Sequence, residues 1–203
     1  MASDSPRRRA FLRDLGLPAL LVSPGRGAEP SPLADESAEH FVVRAAAAKA
    51  ASCLPLPAEK ANRAPSALPS DSLIIAADTV VVLDGRILGK PADRAQALEY
   101  LRLLAGRRHE VLTACSLQSL TAGESFLSRT RVALWPCPDW LLAAYASGDE
   151  PLDKAGGYAV QGQGAFLVQS VQGSWSNVAG LPLAELIQAL LRLGAIARET
   201  DLP

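Results

Sequence analysis

The sequence lacks a run of about 18 apolar residues, and its three cysteines and two histidines are widely spaced. The first absence excludes a transmembrane helix, and no hydrophobic signal segment follows the N-terminal arginines. The odd cysteine count argues against a disulfide framework and is typical of a reducing compartment, so we expect a cytoplasmic protein without a membrane partner. His40 and His109 are too few to build a Cys/His zinc site.

The sequence also lacks a surplus of basic residues. Its formal net charge is -1, which argues against a general nucleic-acid binder and confines any anion site to one locality. The hydrophobic content of 49% is sufficient for a packed core. A length of 203 residues suits one domain, and we expect a single domain of two lobes over residues 1–203.

Three common motifs of enzyme sites are missing. GRILGKP at 85–91 is not a Walker A loop, because only three residues separate its glycines and Pro91 follows the lysine. Gly162-Gln163-Gly164 does not extend to a dinucleotide-binding fingerprint. No GxSxG sequence occurs, and neither histidine has a nucleophilic partner by motif. The sequence therefore gives no indication of covalent catalysis.

The pattern of apolar residues predicts strands interleaved with helices, and hence an α/β fold with a mixed sheet. Residues 73–88 read as a hairpin with an Asp-Gly turn, and residues 110–120 and 126–135 as two further strands. The glycine-rich block 154–177 predicts short strands and tight turns. Residues 51–72 are expected to form a flexible excursion, and 197–203 a loose tail. Five helices are predicted. Two of them span residues 5–16 and 183–194, and a third begins at residues 35–39. The other two are capped by Asp93, with an end at Gly106, and by Asp139.

The first predicted helix begins with Ser5 and Pro6, a good cap and first residue, and continues with three arginines. The first turn of a helix carries partial positive charge and prefers acidic residues. Either an anion binds beside these arginines, or they belong to a solvated, frayed helix start; the stretch alone favours neither.

Asp78 lies inside an otherwise apolar strand. Burying a carboxylate costs several kcal/mol, on the order of the penalty for a buried ion, unless it is paired or binds a metal. It is either a strand-end residue that caps a neighbouring element or a general base or metal-facing carboxylate. Scattered cations, this carboxylate and the absence of a nucleophile together indicate metal-assisted phosphate chemistry. The further charged candidates are Lys49, Lys90, Glu150, Asp153 and Lys154.

Five segments, in order and spacing, resemble the Maf family of nucleoside triphosphate pyrophosphatases. The likeness runs from Ser3 to about residue 193 and is carried by SDSPRRRAFL, ADTVVVLDGRILGKP, HEVLTA, DEPLDKAGGYAVQG and GSWSNVAGLPL. It implies hydrolysis of a nucleoside triphosphate to the monophosphate and pyrophosphate with a divalent metal, Mg²⁺ or Mn²⁺, as a house-cleaning activity. It also implies a two-lobed fold with a central mixed, twisted sheet flanked by helices, akin to inosine triphosphate pyrophosphatases and often homodimeric.

The resemblance assigns roles to particular residues. Asp78 matches the proton acceptor, which activates water and faces the metal. Thr79 and Gln161, with Arg7, match the branch that acts on dTTP and UTP. The amide of Gln161 both donates and accepts, so it can pair with the imide edge of thymine or uracil. The positions that match phosphate contacts are Ser3, Arg7, Arg8, Lys49 and Lys90.

Two features depart from the family pattern. The family's second metal-site carboxylate falls on Pro30, and Glu29 is expected to substitute through a shift of the loop. Only Met1 precedes Ala2, where the family has a few apolar residues of a first strand. Either the start codon is misassigned or the first strand is clipped, and a clipped strand would weaken folding or loosen Ser3 and Arg7. The alternatives are a Maf-type enzyme for a modified or other nucleotide, and a catalytically impaired, nucleotide-binding regulator of cell division. Asp78 and Lys90 favour an enzyme.

Overall fold

The computed structural model describes residues 1–17, 19, 22–24, 29–54 and 72–196. Residues 55–71 of the predicted excursion and the predicted tail 197–203 lie outside this part of the chain. The α-helices are α1 (Pro6–Asp14), α2 (Ala38–Ala51), α3 (Arg94–Leu104), α4 (Asp139–Ala146), α5 (Trp175–Val178) and α6 (Leu183–Arg192). The strands are β1 (Ile74–Leu83), β2 (Arg86–Leu88), β3 (Arg108–Gln118), β4 (Gly123–Leu134) and β5 (Val168–Gln172).

These strands form one sheet in the order β2-β1-β3-β4-β5, and every neighbouring pair is antiparallel. The α/β class is confirmed. The parallel component of the predicted mixed sheet is confined, within the described residues, to isolated bridges that join Ala2 to Val22 and to Ala76. The N–H of Ala2 donates to the carbonyl of Ile75 at 2.7 Å. The residues before α1 therefore attach to the outer edge of β1.

Alternation along β1 explains where the cores lie. On one face, Ile75 and Ala77 pack into a core with α1 and α6, whereas Val81 and Leu83 pack into a second core with α3 and α4. Thr79 lies between the two cores on that face. The opposite face carries Val80, which packs against α2. This face of β1 is thus divided between two helix pairs.

The outer edge of β1 has a gap at its centre. Ala2 bridges to Ala76, and pairing with β2 begins only at Val81. Asp78 and Thr79 lie in this unpaired stretch of β1. Because successive side chains of a strand point to opposite faces, their side chains lie on opposite faces of the sheet. The candidate site lies at this gap.

Two predicted local features are corrected by the structure. The glycine-rich block contributes only one strand, β5, and it also forms 3-10 segments at Ala155–Gly157 and Gly162–Leu167. Gly156 has φ +70°, and a Cβ there would meet Val81 Cγ2 at 2.9 Å, so close packing forces a turn rather than a strand. Asp139 is the first residue of α4 rather than its cap, because Arg102 binds both of its carboxylate oxygens.

Other local predictions are confirmed. Asp93 caps α3 by accepting from the N–H of Gln96 at 2.8 Å, and the hairpin from β1 to β2 turns at Asp84 and Gly85. Cys53, Cys115 and Cys137 are free thiols. Among the described helices, none has the length and apolarity needed to cross a membrane.

Candidate active site

A cleft of about 590 Å³ opens at the gap in β1. This volume lies within the range of about 300–1,000 Å³ that is usual for small-molecule sites. The cleft is lined by every residue that the sequence marked as a site candidate by resemblance: Ser3, Arg7, Arg8, Glu29, Lys49, Asp78, Thr79, Lys90 and Gln161. Residues far apart in sequence are therefore brought to one place.

Lys49 lies between two carboxylates. Its Nζ is 2.5 Å from Asp78 Oδ1 and 2.8 Å from Glu29 Oε1, and its residue exposure is 6%. A lysine this buried requires anionic partners, because an unpaired ammonium group would bear the full cost of desolvation. The hydrogen bond and charge of Lys49 lower the pKa of Glu29 from its usual value. Oδ2 of Asp78 has no hydrogen-bond partner among the described residues and is available to a water molecule.

Arg8 binds the walls of the cleft to one another. Its Nε donates to the carbonyl of Gly180 at 2.7 Å, Nη1 to the carbonyl of Ala77 at 2.8 Å, and Nη2 to Thr79 Oγ1 at 3.0 Å. The Ala77 carbonyl faces the gap in β1, where no strand partner can satisfy it. Arg8 therefore replaces a missing strand contact, and two of the five guanidinium N–H groups remain for a ligand.

Charge of both signs surrounds the mouth of the cleft. Arg7 Nη1 lies 3.4 Å from Asp153 Oδ2, and Asp153 also pairs with the ammonium group of Lys154. Lys90 is exposed and has no hydrogen bond or salt bridge to the described part of the chain. No acidic residue lies in the first turn of α1, whose N-terminal residues border the cleft. These features favour an anionic ligand.

Ser3 and Gln161 complete the lining. Ser3 is 4% exposed; its N–H donates to the carbonyl of Val22 at 3.1 Å, and its Oγ accepts from the N–H of Ser5. These bonds hold the segment before α1 in place, contrary to the expectation that Ser3 would be held loosely. Gln161 is half-buried, and its side chain has no hydrogen-bond partner among the residues described.

A carboxylate outside the cleft lining organises the loop that follows Gln161. Glu150 accepts hydrogen bonds from Tyr145 Oη at 2.8 Å, from the N–H of Gly164 at 2.8 Å and from the N–H of Gln163 at 3.1 Å. Glu150 was only a charged candidate in the sequence, without a role. Its position shows that it shapes the loop rather than facing a ligand.

Thr113 and Asn177 were missed by the sequence reasoning. Both are fully buried, and Thr113 Oγ1 lies 2.9 Å from Thr79 Oγ1. The available signal was weak: Thr113 is a polar residue inside the apolar β3, and Asn177 lies in the segment GSWSN. Polar side chains with full burial need hydrogen-bond partners, and only the fold reveals these.

The donor set fits a divalent cation that shares its coordination with a ligand. The described residues contain no group of three or more His, Cys, Asp or Glu side chains that could hold a metal by themselves. Asp78 and Glu29, however, both reach Lys49 Nζ and so lie close together. Mg²⁺ is commonly bound by one or two carboxylates together with substrate phosphates and water. Two carboxylates that lie close together in a cleft lined by cationic side chains meet the protein's part of that requirement.

The chain resembles known proteins over nearly its whole length. The family described as "Maf-like protein" matches residues 1–193. A dTTP/UTP pyrophosphatase of Nitratidesulfovibrio vulgaris is 51% identical over 97% of this chain and 88% of its own length. The proteins of the same name from Oleidesulfovibrio alaskensis and Salmonella typhimurium are 45% and 38% identical, over 97% and 99% of this chain and 85% and 95% of theirs. This chain therefore belongs to the Maf family.

Proposed function

We propose that the protein is a nucleoside triphosphate pyrophosphatase that hydrolyses dTTP and UTP to the nucleoside monophosphate and pyrophosphate, acting on cytoplasmic nucleotide pools. The observation that carries this proposal is the position of Asp78. A carboxylate with one oxygen that is unpaired among the described residues lies in a cleft that five cationic side chains also line: Arg7, Arg8, Lys49, Lys90 and Lys154. The names of the relatives supply the substrate class.

Asp78 acts as the general base. Lys49 holds Oδ1 by a hydrogen bond, so Oδ2 is the oxygen that accepts a proton from water. The water oxygen forms a bond to the α-phosphorus, and the bond from that phosphorus to the oxygen bridging the α- and β-phosphates breaks. The electron pair leaves with pyrophosphate. Positioning and charge stabilisation supply most of the catalysis in phosphoryl transfer.

Different cationic residues bind different parts of the triphosphate. Arg8 is fixed by three hydrogen bonds and offers its remaining N–H groups in a set direction. Lys90 is exposed, so its flexible side chain can adjust to contact the terminal phosphates. Ser3 and Arg7 border the same end of the cleft at the start of α1, where the helix dipole also favours an anion.

Asp78 and Glu29 would hold a divalent cation, Mg²⁺ or Mn²⁺, at the phosphates. When bound, such an ion neutralises phosphate charge and lowers the pKa of a coordinated water. Lys49 lies between these two carboxylates and orients both of them.

Gln161 reads the base. Its amide can donate to a carbonyl of thymine or uracil while it accepts from the imide N–H. Cytosine has an acceptor nitrogen and an amino group at this edge, which reverses that pattern. Gln161 lies in the cleft beside the loop that Glu150 organises.

The test is pyrophosphate release from dTTP, UTP, CTP, GTP and 7-methyl-GTP with Mg²⁺ or Mn²⁺, for wild type and Asp78→Asn. We expect turnover of dTTP and UTP, and a fall of roughly 10²–10⁴-fold in the variant, the range for loss of a general base. Turnover of another nucleotide would favour a different base preference. Nucleotide binding without any turnover by the wild type would favour a regulatory protein.

A further inference from the structure

A chain of hydroxyl groups runs from the cleft into the core. Thr79 Oγ1, in the cleft lining, lies 2.9 Å from Thr113 Oγ1, and Thr113 Oγ1 lies 3.1 Å from the backbone carbonyl oxygen of Asn177. Arg8 Nη2 donates to Thr79 Oγ1 at 3.0 Å. Thr113 and Asn177 have no exposed surface, so water cannot offer them alternative partners.

The direction of each hydrogen bond in this chain follows from its two ends. A carbonyl oxygen carries no hydrogen, so the single hydroxyl hydrogen of Thr113 is donated to Asn177. Thr113 can then only accept from Thr79, which uses the single hydroxyl hydrogen of Thr79. The guanidinium of Arg8 can only donate, so it occupies one lone pair of Thr79. One lone pair of Thr79 remains.

The carbonyl at the inner end is held firmly. The side-chain amide of Asn177 donates to the carbonyl of Val111 at 3.0 Å and to Thr130 Oγ1 at 2.9 Å. These two bonds attach α5 to β3 and β4 and fix the position of the Asn177 carbonyl. The hydroxyl chain therefore cannot reverse without breaking buried hydrogen bonds, at a cost of about 1–3 kcal/mol for each group left unsatisfied.

We propose that Thr113 is a positioning residue that makes Thr79 an acceptor-only group in the cleft, so that Thr79 receives a hydrogen-bond donor of the nucleotide. The inference rests on the proposed function for the identity of the ligand. A phosphate oxygen is itself an acceptor and gains nothing from Thr79. The donors that dTTP offers are the 3′-hydroxyl of the sugar and the imide N–H of the base. Both have the chemistry that this lone pair requires, and the imide N–H would reach Thr79 only in place of its hydrogen bond to Gln161.

The test compares dTTP with two analogues, N3-methyl-dTTP, which lacks the imide N–H, and 2′,3′-dideoxy-TTP, which lacks the 3′-hydroxyl. Dissociation constants are measured by calorimetry on Asp78→Asn protein, and kcat/KM on protein with Asp78 intact. The binding measurement is independent of turnover, so failure of the proposed function and failure of this inference are distinguishable. Both measurements are repeated in the variants Thr113→Val, Thr113→Ser and Thr79→Val.

We expect one analogue to bind about tenfold or more weakly than dTTP when Thr113 is present, the usual effect of losing a buried hydrogen bond. In Thr113→Val the hydroxyl hydrogen of Thr79 is released and can turn into the cleft, so the penalty should shrink by about threefold or more. Thr113→Ser should restore the full penalty, and Thr79→Val should remove the part that is due to the lost hydrogen bond. The added bulk of N3-methyl affects all variants alike and cancels in this comparison.

Ser128→Ala is the matched control. Ser128 is also a buried hydroxyl residue, on the strand beside Thr113, but its Oγ donates to Glu185 Oε1 at 2.8 Å. Among the described residues it takes no part in the hydrogen bonds of Thr79 or Asn177, so this variant should lower stability while keeping the penalty of the wild type. Three outcomes would each overturn the proposal. The penalty is as large in Thr113→Val as in protein with Thr113, neither analogue shows a penalty, or dTTP does not bind. If Thr113→Val does not fold, the penalties measured in Thr79→Val and Thr113→Ser test the proposal in its place.

Discussion

Lys49 Nζ lies 2.5 Å from Asp78 Oδ1 and 2.8 Å from Glu29 Oε1, so one buried ammonium group joins a helix, a strand and the loop before the helix. Lys49 lies near the end of α2, and Asp78 lies at the gap in β1. Two carboxylates this close repel each other unless a cation lies between them. The arrangement explains how Asp78 is tolerated in an apolar strand and how Glu29 reaches the cleft.

Replacing Lys49 tests this arrangement. Lys49→Met keeps the length of the side chain but removes its charge, and we expect kcat/KM for dTTP to fall by about 10²-fold, as for loss of a preorganised donor. Arg44→Met is the control, because Arg44 lies on the same helix and pairs with Glu36 outside the cleft. Equal activities of the two variants would contradict the role given to Lys49.

Glu29 should set the metal requirement. Chelation of divalent cations should abolish turnover, and Glu29→Gln should raise the Mg²⁺ concentration for half-maximal activity by about tenfold, the order expected when a metal site loses a supporting group. The measurement is a metal titration at saturating dTTP. Glu36→Gln removes a carboxylate of the same loop that binds Arg44 instead. The idea is wrong if both variants need the same metal concentration as the wild type.

Gln161→Glu should change the choice of base. A carboxylate cannot donate to the carbonyls of uracil, whereas it can accept from the amino group of cytosine. We expect the ratio of kcat/KM for UTP to that for CTP to fall by at least about tenfold, as for a site that loses one matched hydrogen bond. Gln163→Glu is the control, since Gln163 is exposed and does not line the cleft. An unchanged ratio in Gln161→Glu would refute the assignment.

Glu150→Gln should disturb the loop beside Gln161. Three donors converge on this carboxylate, and an amide would place an N–H group against one of them. We expect a loss of about 1–3 kcal/mol in the free energy of unfolding, together with a higher KM for dTTP. Asp149→Asn is the neighbouring control, because the exposed Asp149 side chain pairs with Arg94, its one ion-pair partner in the described part of the chain. Urea denaturation and steady-state kinetics separate the two effects.

His109 should make stability depend on pH above the range of the carboxylates. Burial lowers the pKa of His109 from 6.5 to about 4, and its Nε2 lies 2.7 Å from Tyr158 Oη. At pH values between about 4 and 6.5, His109 binds more protons in the unfolded state than in the folded state. The free energy of unfolding therefore decreases as the pH falls. From pH 7 to pH 5 we expect a loss of about 2 kcal/mol.

The matched variants for this prediction are His109→Gln and His40→Gln. The first removes the titrating group and should flatten the dependence of unfolding free energy on pH over this range. His40 is exposed, so its replacement should leave the slope as in the wild type. Equal slopes in wild type and His109→Gln would show that His109 does not cause the effect.

Much of the fold could be read from local patterns. The alternation in residues 73–88 and the Asp-Gly turn define the first hairpin, and Asp93 defines the start of α3, because these features depend on neighbouring residues. The glycine-rich block was misjudged because its conformation depends on distant contacts. Gly156 packs against Val81 from another element, which no local pattern reveals.

By itself, the sequence determined the composition of the site: a lone carboxylate in an apolar strand, arginines at a helix start, and motifs that resemble one family. Only the tertiary structure decided what these groups do to one another. Arg8 donates to the carbonyl of Ala77, Lys49 lies between Asp78 and Glu29, and Thr113 Oγ1 lies 2.9 Å from Thr79 Oγ1. Each relationship joins residues at least 20 positions apart. Hydrogen bonds and ion pairs depend on distances of about 3 Å, and such distances are set only when the chain has folded.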